Sequence, residues 1–134
     1  MKNFVINKNN DISYGVFPDL ERAGFVHGCS CRLNGESDVV AGTLNLAMHV
    51  GDVVEKVLRN RRAFAKDLGV SAERFTTCQQ VHGSKVVRVT EELIGSGAQD
   101  FVNTIADTDA LVTNIPDVPL LLFYADCVPV LLAD

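Results

Sequence analysis

Two short segments carry the side chains best suited to chemistry. Asp126-Cys127 sets a carboxylate beside a thiol at the end of an apolar run, residues 120–125, and a second apolar run follows at once. Upstream, Gln79-Gln80-Val81-His82-Gly83 sets an imidazole where another strand-like run meets a break. A core strand has no structural need for Asp-Cys at its end, whereas strand ends hold side chains rigidly at the edge of a cleft. A thiolate and an imidazole together suit zinc. They are also the nucleophile and base of a cysteine hydrolase, and the residues alone leave both open. Catalytic zinc takes three protein donors and a water. His27, His49, Asp126 or another cysteine could supply the third, and spacing singles out none of them. In an extended strand Asp126 faces away from Cys127, so it supports the thiol only if the backbone turns there.

These side chains need elements to hold them. Residues 75–81 and 85–90 are rich in strand formers, and Gly83-Ser84 between them suggests a hairpin. Residues 107–113 read as a further strand, and residues 114–119 as a turn leading into the 120–125 run. Residues 91–106, with Gly95-Ser96-Gly97, read as a mobile loop. Residues 25–32 read as a strand in which Cys29 and Cys31 share a face, both as small buried hydrophobes. The clearest helix follows Gly51-Asp52. Asp52 and Glu55 resemble a capping box, Val53, Val54, Val57, Leu58, Phe64, Ala65 and Leu68 form an apolar stripe, and Gly69 is a stop. Arg61 interrupts that stripe, so a buried Arg61 needs a charged partner. Asn45, in the apolar stretch 43–47, is a loop fastener or a ligand contact. Strands outnumber helices, which gives an α/β or α+β class with a mixed sheet.

The totals fit one domain over residues 1–134. The 47% hydrophobic content supports a core built from Val, Leu and Ile, since Trp is absent. A net charge of −5 argues against a nucleic-acid surface. Arg59, Arg61 and Arg62, with Lys56 and Lys66, spread around one helix and read mainly as a solvated face. No apolar run reaches the ~20 residues of a membrane span, and Met1-Lys2-Asn3-Phe4-Val5-Ile6-Asn7 lacks a signal-peptide core. The expectation is a cytoplasmic protein whose four cysteines are thiols or metal ligands.

From about residue 24 onward the chain resembles the YfiH/laccase-domain family, once called multicopper polyphenol oxidases and associated with purine nucleoside phosphorylase activity. The matching pieces are His27-Gly28-Cys29-Ser30-Cys31-Arg32, Leu44-Asn45-Leu46, His49-Val50-Gly51-Asp52, Asn60-Arg61, Gln80-Val81-His82-Gly83, Asp109-Ala110-Leu111-Val112-Thr113 and Ala125-Asp126-Cys127-Val128-Pro129. The family usually reads Phe and Thr where this chain has Cys29 and Cys31. The resemblance implies zinc held by His82 and Cys127, which also serve catalysis, with a third ligand, a His, expected beyond Asp134. It implies a three-layer α/β/α sandwich, incomplete at the C-terminus and open to self-association or completion by another chain. It implies phosphorolysis of adenosine, inosine, guanosine or methylthioadenosine by inorganic phosphate, and possible deamination of adenosine. Arg32 and Arg61 are then candidates for the phosphate, and Asn45 and Gln80 for the sugar or base. The rival readings are a Cys127–His82 thiol hydrolase and a non-enzymatic interaction domain.

Overall fold

The computed structural model describes residues 4–8, 11–39 and 42–134; the expectation for Met1 to Asn3 lies outside them. Strands β1 (Val5–Asn7), β2 (Tyr14–Val16) and β3 (Cys29–Ser30) form an antiparallel sheet in that order, with Val5 opposite Val16 and Gly15 opposite Cys29. A short helix α1 (Pro18–Arg22) joins β2 to the approach to β3, and Pro at its first turn fits the missing N–H there. The expected strand over residues 25–32 thus shrinks to its centre. His27 turns out to be structural. Its Nε2 accepts the Phe17 N–H at 2.7 Å, and its Nδ1 lies 2.9 Å from the Phe25 carbonyl oxygen.

Helix α2 (Val54–Leu68) is the long element. It starts later than Asp52: Val53 holds the cap position with no side-chain capping bond. Asp52 accepts the Val53 N–H at 2.8 Å and the Asn45 amide at 2.9 Å, so it fastens the preceding loop instead. Val57, Phe64 and Ala65 are buried, whereas Val53 and Val54 are exposed. Gly69 ends the helix at φ 72°, where only glycine enters without steric cost. Phe64 meets Tyr14 edge to face at 5.9 Å, joining α2 to the sheet. Ile12, Val16, Leu44, Leu46, Phe75 and Leu121 complete this core.

The remaining strands pair in parallel: β4 (Thr76–Thr77) with β7 (Leu120–Leu121), and β5 (Val86–Arg88) with β6 (Ala110–Val112). The suggested hairpin across Gly83-Ser84 is therefore absent. Each half of it finds a partner later in the chain, because the β4–β7 pair buries Thr76, Thr77 and Leu121. The class is α+β as expected, with the mixed pairing divided among one antiparallel sheet and two parallel pairs. Residues 91–106 are not a loose loop. They open with a 3-10 turn (Glu91–Leu93), and Ser96 accepts the Thr77 N–H at 2.9 Å. The Gly95 N–H reaches Thr76 Oγ1 at 3.0 Å, and Ala98 is buried. No helix among the described residues is long and apolar enough to cross a membrane.

Candidate functional site

The turn that carries His82 is built on one carboxylate. Asp109, just before β6, accepts the N–H groups of Val81 and His82 on Oδ1 at 3.0 and 2.8 Å, and that of Gly83 on Oδ2 at 2.8 Å. Three successive donors aimed at one acid let His82 take φ 58°, a left-handed conformation uncommon outside glycine. The imidazole stands exposed at the tip. Asp109 opens one of the pieces that carry the family resemblance, but its role under the turn emerges only from the parallel packing of β5 on β6.

The second segment is tied to this turn by Gln80. Its Nε2 donates to the Phe123 carbonyl at 2.9 Å, and its Oε1 accepts the Phe123 N–H at 2.8 Å. A side-chain amide here completes both backbone bonds of a residue just past β7, as a neighbouring strand would. Beyond Phe123 the chain bends at residues 125–127, and Asp126 and Cys127 are exposed.

The other expected residues divide sharply. Arg32 is an exposed residue, and its backbone carbonyl accepts the N–H groups of Thr43 and Leu44 at 2.7 and 3.1 Å. Asn45 is buried and fully used: it accepts the Ala47 N–H at 3.0 Å and donates to the Ala47 carbonyl and to Asp52, both at 2.9 Å. It is the loop fastener. Hydrogen bonds from Asn45, Ser37 and the Val53 N–H, with the charge of Lys56, outweigh burial and hold the Asp52 carboxyl below 3.8.

Arg61 is buried, yet its partners are not carboxylates. It donates to the carbonyls of Leu46, Gly97 and Ala98 at 2.8, 2.7 and 3.0 Å, and its guanidinium carbon lies 5.3 Å from the centroid of the Phe123 ring. The expected charged partner is replaced by backbone dipoles and a π face, which share the positive charge without bringing in a second ion. Burial lowers its pKa to about 10, so it stays charged at neutral pH. Phe123 also meets His49 at 5.9 Å, and His49 meets Phe101 at 5.6 Å. Sequence reading missed this aromatic group, because its three rings come from distant segments.

All four cysteines are free. Burial, with the Asp109 charge, pushes the Cys78 thiol up to about 11, which makes it inert. His82 and Cys127 fit zinc by donor type but not by number. No group of three His, Cys, Asp or Glu side chains among the described residues comes together to hold a metal.

A profile described as multi-copper polyphenol oxidoreductase laccase matches residues 26–134. The chain is 42% identical over 108 residues to "Purine nucleoside phosphorylase YlmD" of Geobacillus stearothermophilus, covering 81% of this chain and 39% of that protein. It is 40% identical over 103 residues to "Purine nucleoside phosphorylase Rv2149c" of Mycobacterium tuberculosis, covering 77% and 38%. The chain thus spans about two-fifths of the length of these relatives. Its fold matches Bacillus licheniformis YfiH with a TM-score of 0.83 at 25% identity, over 91% of this chain and 45% of that one. The chain belongs to the laccase-like YfiH family.

Proposed function

We propose that this chain forms part of a zinc-dependent purine nucleoside phosphorylase, with His82 and Cys127 as metal donors and a third donor from outside residues 1–134. The observation that carries the reading is the Gln80 clasp on Phe123, which ties the His82 turn to the segment leading into Cys127. The relatives named as purine nucleoside phosphorylases support the reaction class. In phosphorolysis, phosphate attacks the anomeric carbon, the glycosidic bond breaks, and the base leaves with its electron pair and takes up a proton. Among Arg32, Asn45, Arg61 and Gln80, only Arg32 offers an exposed charge to the phosphate. Asn45, Arg61 and Gln80 act by holding the loops around it. His49 and Phe101 present a partly exposed aromatic surface on which a purine can stack. Bound zinc would acidify a water, which is the chemistry that adenosine deamination requires.

The test is phosphate-dependent release of adenine from adenosine, with metal analysis beside it. In a polypeptide that supplies the third donor, about one zinc per chain is expected, lost together with turnover in both His82→Ala and Cys127→Ser. Turnover that survives both chelation and His82→Ala would overturn the proposal. Adenine release that needs no phosphate and survives chelation but not alkylation of Cys127 would point to the thiol hydrolase.

A further inference from the structure

A second group of reactive side chains lines a cavity whose wall includes residues on either side of Cys127. Phe4, Ile6, Phe17, Cys29, Ser30, Cys31, Tyr124, Val128 and Pro129 line a cavity of about 380 Å³. Its walls are mostly apolar, and its polar content is two thiols, a serine and a phenol. Cys29 lies in β3 opposite Gly15, and the Cys31 N–H continues the ladder to the Ser13 carbonyl at 2.8 Å. Two residues apart on an extended backbone, the thiols point the same way. Tyr124 lines the same cavity, so its phenol shares a wall with the two thiols. A phenol O–H is a donor that suits a sulfur acceptor within its reach.

We propose that Cys29 and Cys31 form a two-thiolate site for a soft monovalent d10 metal ion of the Cu(I) class, with Tyr124 as a hydrogen-bond donor to the Cys29 sulfur. Coordination number selects the ion. Zinc wants four ligands, usually at least three from protein, and this cavity supplies two thiols. Soft thiolates select Cu(I), which accepts two. Geometry also favours a bridging ion over a disulfide. Alternate residues of a strand stand roughly 6.8 Å apart, at the long end of the range a disulfide spans. A metal held between the two sulfurs adds two bonds of ~2.3 Å each and relieves that stretch. Binding is an exchange without redox change: two S–H bonds release their protons to solvent, two metal–sulfur bonds form, and the metal keeps its oxidation state. The Tyr124 O–H offsets part of the charge left on sulfur. The proposal is independent of the nucleoside chemistry, because neither His82 nor Cys127 takes part.

The test is an anaerobic titration of the reduced protein with Cu(I) against a chromogenic Cu(I) chelator, with X-ray absorption on the loaded wild-type protein. The expected result is one Cu(I) per chain withdrawn from the chelator, bound by two sulfurs in near-linear geometry. Cys29→Ser and Cys31→Ser should each weaken binding at least about 100-fold, whereas Cys127→Ser should leave it unchanged. Tyr124→Phe should weaken it several-fold while keeping the two-sulfur signature. No withdrawal by the wild-type protein, a coordination shell other than two sulfurs, or loss of the metal in Cys127→Ser would overturn the proposal. The absorption measurement needs no variant, so it decides even if a substitution disturbs the fold.

Discussion

At His82 the backbone sits in a conformation that costs an L-residue about 1–2 kcal/mol, and Asp109 offsets that cost with three N–H bonds. Asp109→Ala should therefore speed amide exchange at Val81, His82 and Gly83 at least tenfold while leaving α2 protected. Hydrogen–deuterium exchange reads both. Asp109→Asn keeps one accepting oxygen, so Val81 and His82 should stay protected while Gly83 opens. The thiols should also differ in reactivity. Cys127 is exposed and Cys78 is buried with a raised pKa, so iodoacetamide at neutral pH should label Cys127 in the folded protein and spare Cys78 until denaturant is added. His82 and Cys127 were readable as candidates because their types and flanks are unusual for strand ends. Asp109 stood in a matching piece, but its role was not readable, since a carboxylate before a strand is common and only the fold brings it under the turn. Arg61 was flagged as a buried charge, but its carbonyl partners at Leu46, Gly97 and Ala98 have no residue-type signature.

Among the elements, α2 was the most legible, because a 3.6-residue stripe and a terminal glycine are local signals. Its start was misplaced at Asp52 since a capping pattern and a loop fastener look alike in sequence. Phe64 joins it to β2, so Phe64→Ala should cost roughly 3–5 kcal/mol, measured by urea unfolding. Asp52 gives the helix approach a pH signature. Its folded pKa lies below the unfolded value of 3.8, so its contribution to stability is full above that value and is lost as the pH falls through the lower folded one. Asp52→Asn should reduce the loss of stability on acidification below about pH 4, as acid-unfolding curves would show. The parallel pairs β4–β7 and β5–β6 were illegible, because such pairing joins distant segments and leaves no local turn code.

For the whole molecule, burial is uneven. Ile12, Val57 and Val89 are almost fully covered, while Val128, Val130 and Leu132 are 86%, 75% and 92% exposed. That apolar stretch follows the Cys127 bend and pairs with no strand among the described residues. Surfaces of this kind associate. The 134-residue chain should sediment with a mass that rises with concentration, and Val130→Asp with Leu132→Asp should hold it monomeric. A chain of unchanged mass at high concentration would show that the stretch finds cover within its own fold.

The Gln80 amide behaves as a borrowed peptide group, one rung of a ladder whose strand is missing. Such a rung has no neighbours to share its load, so it opens in one step. The exchange rate of a single proton, the Phe123 N–H, should therefore act as a clock for the His82 turn, although the two are far apart in sequence. When that proton exchanges, the two candidate metal donors have come unhitched from each other. Damage to the site can thus begin at a residue that touches neither of them.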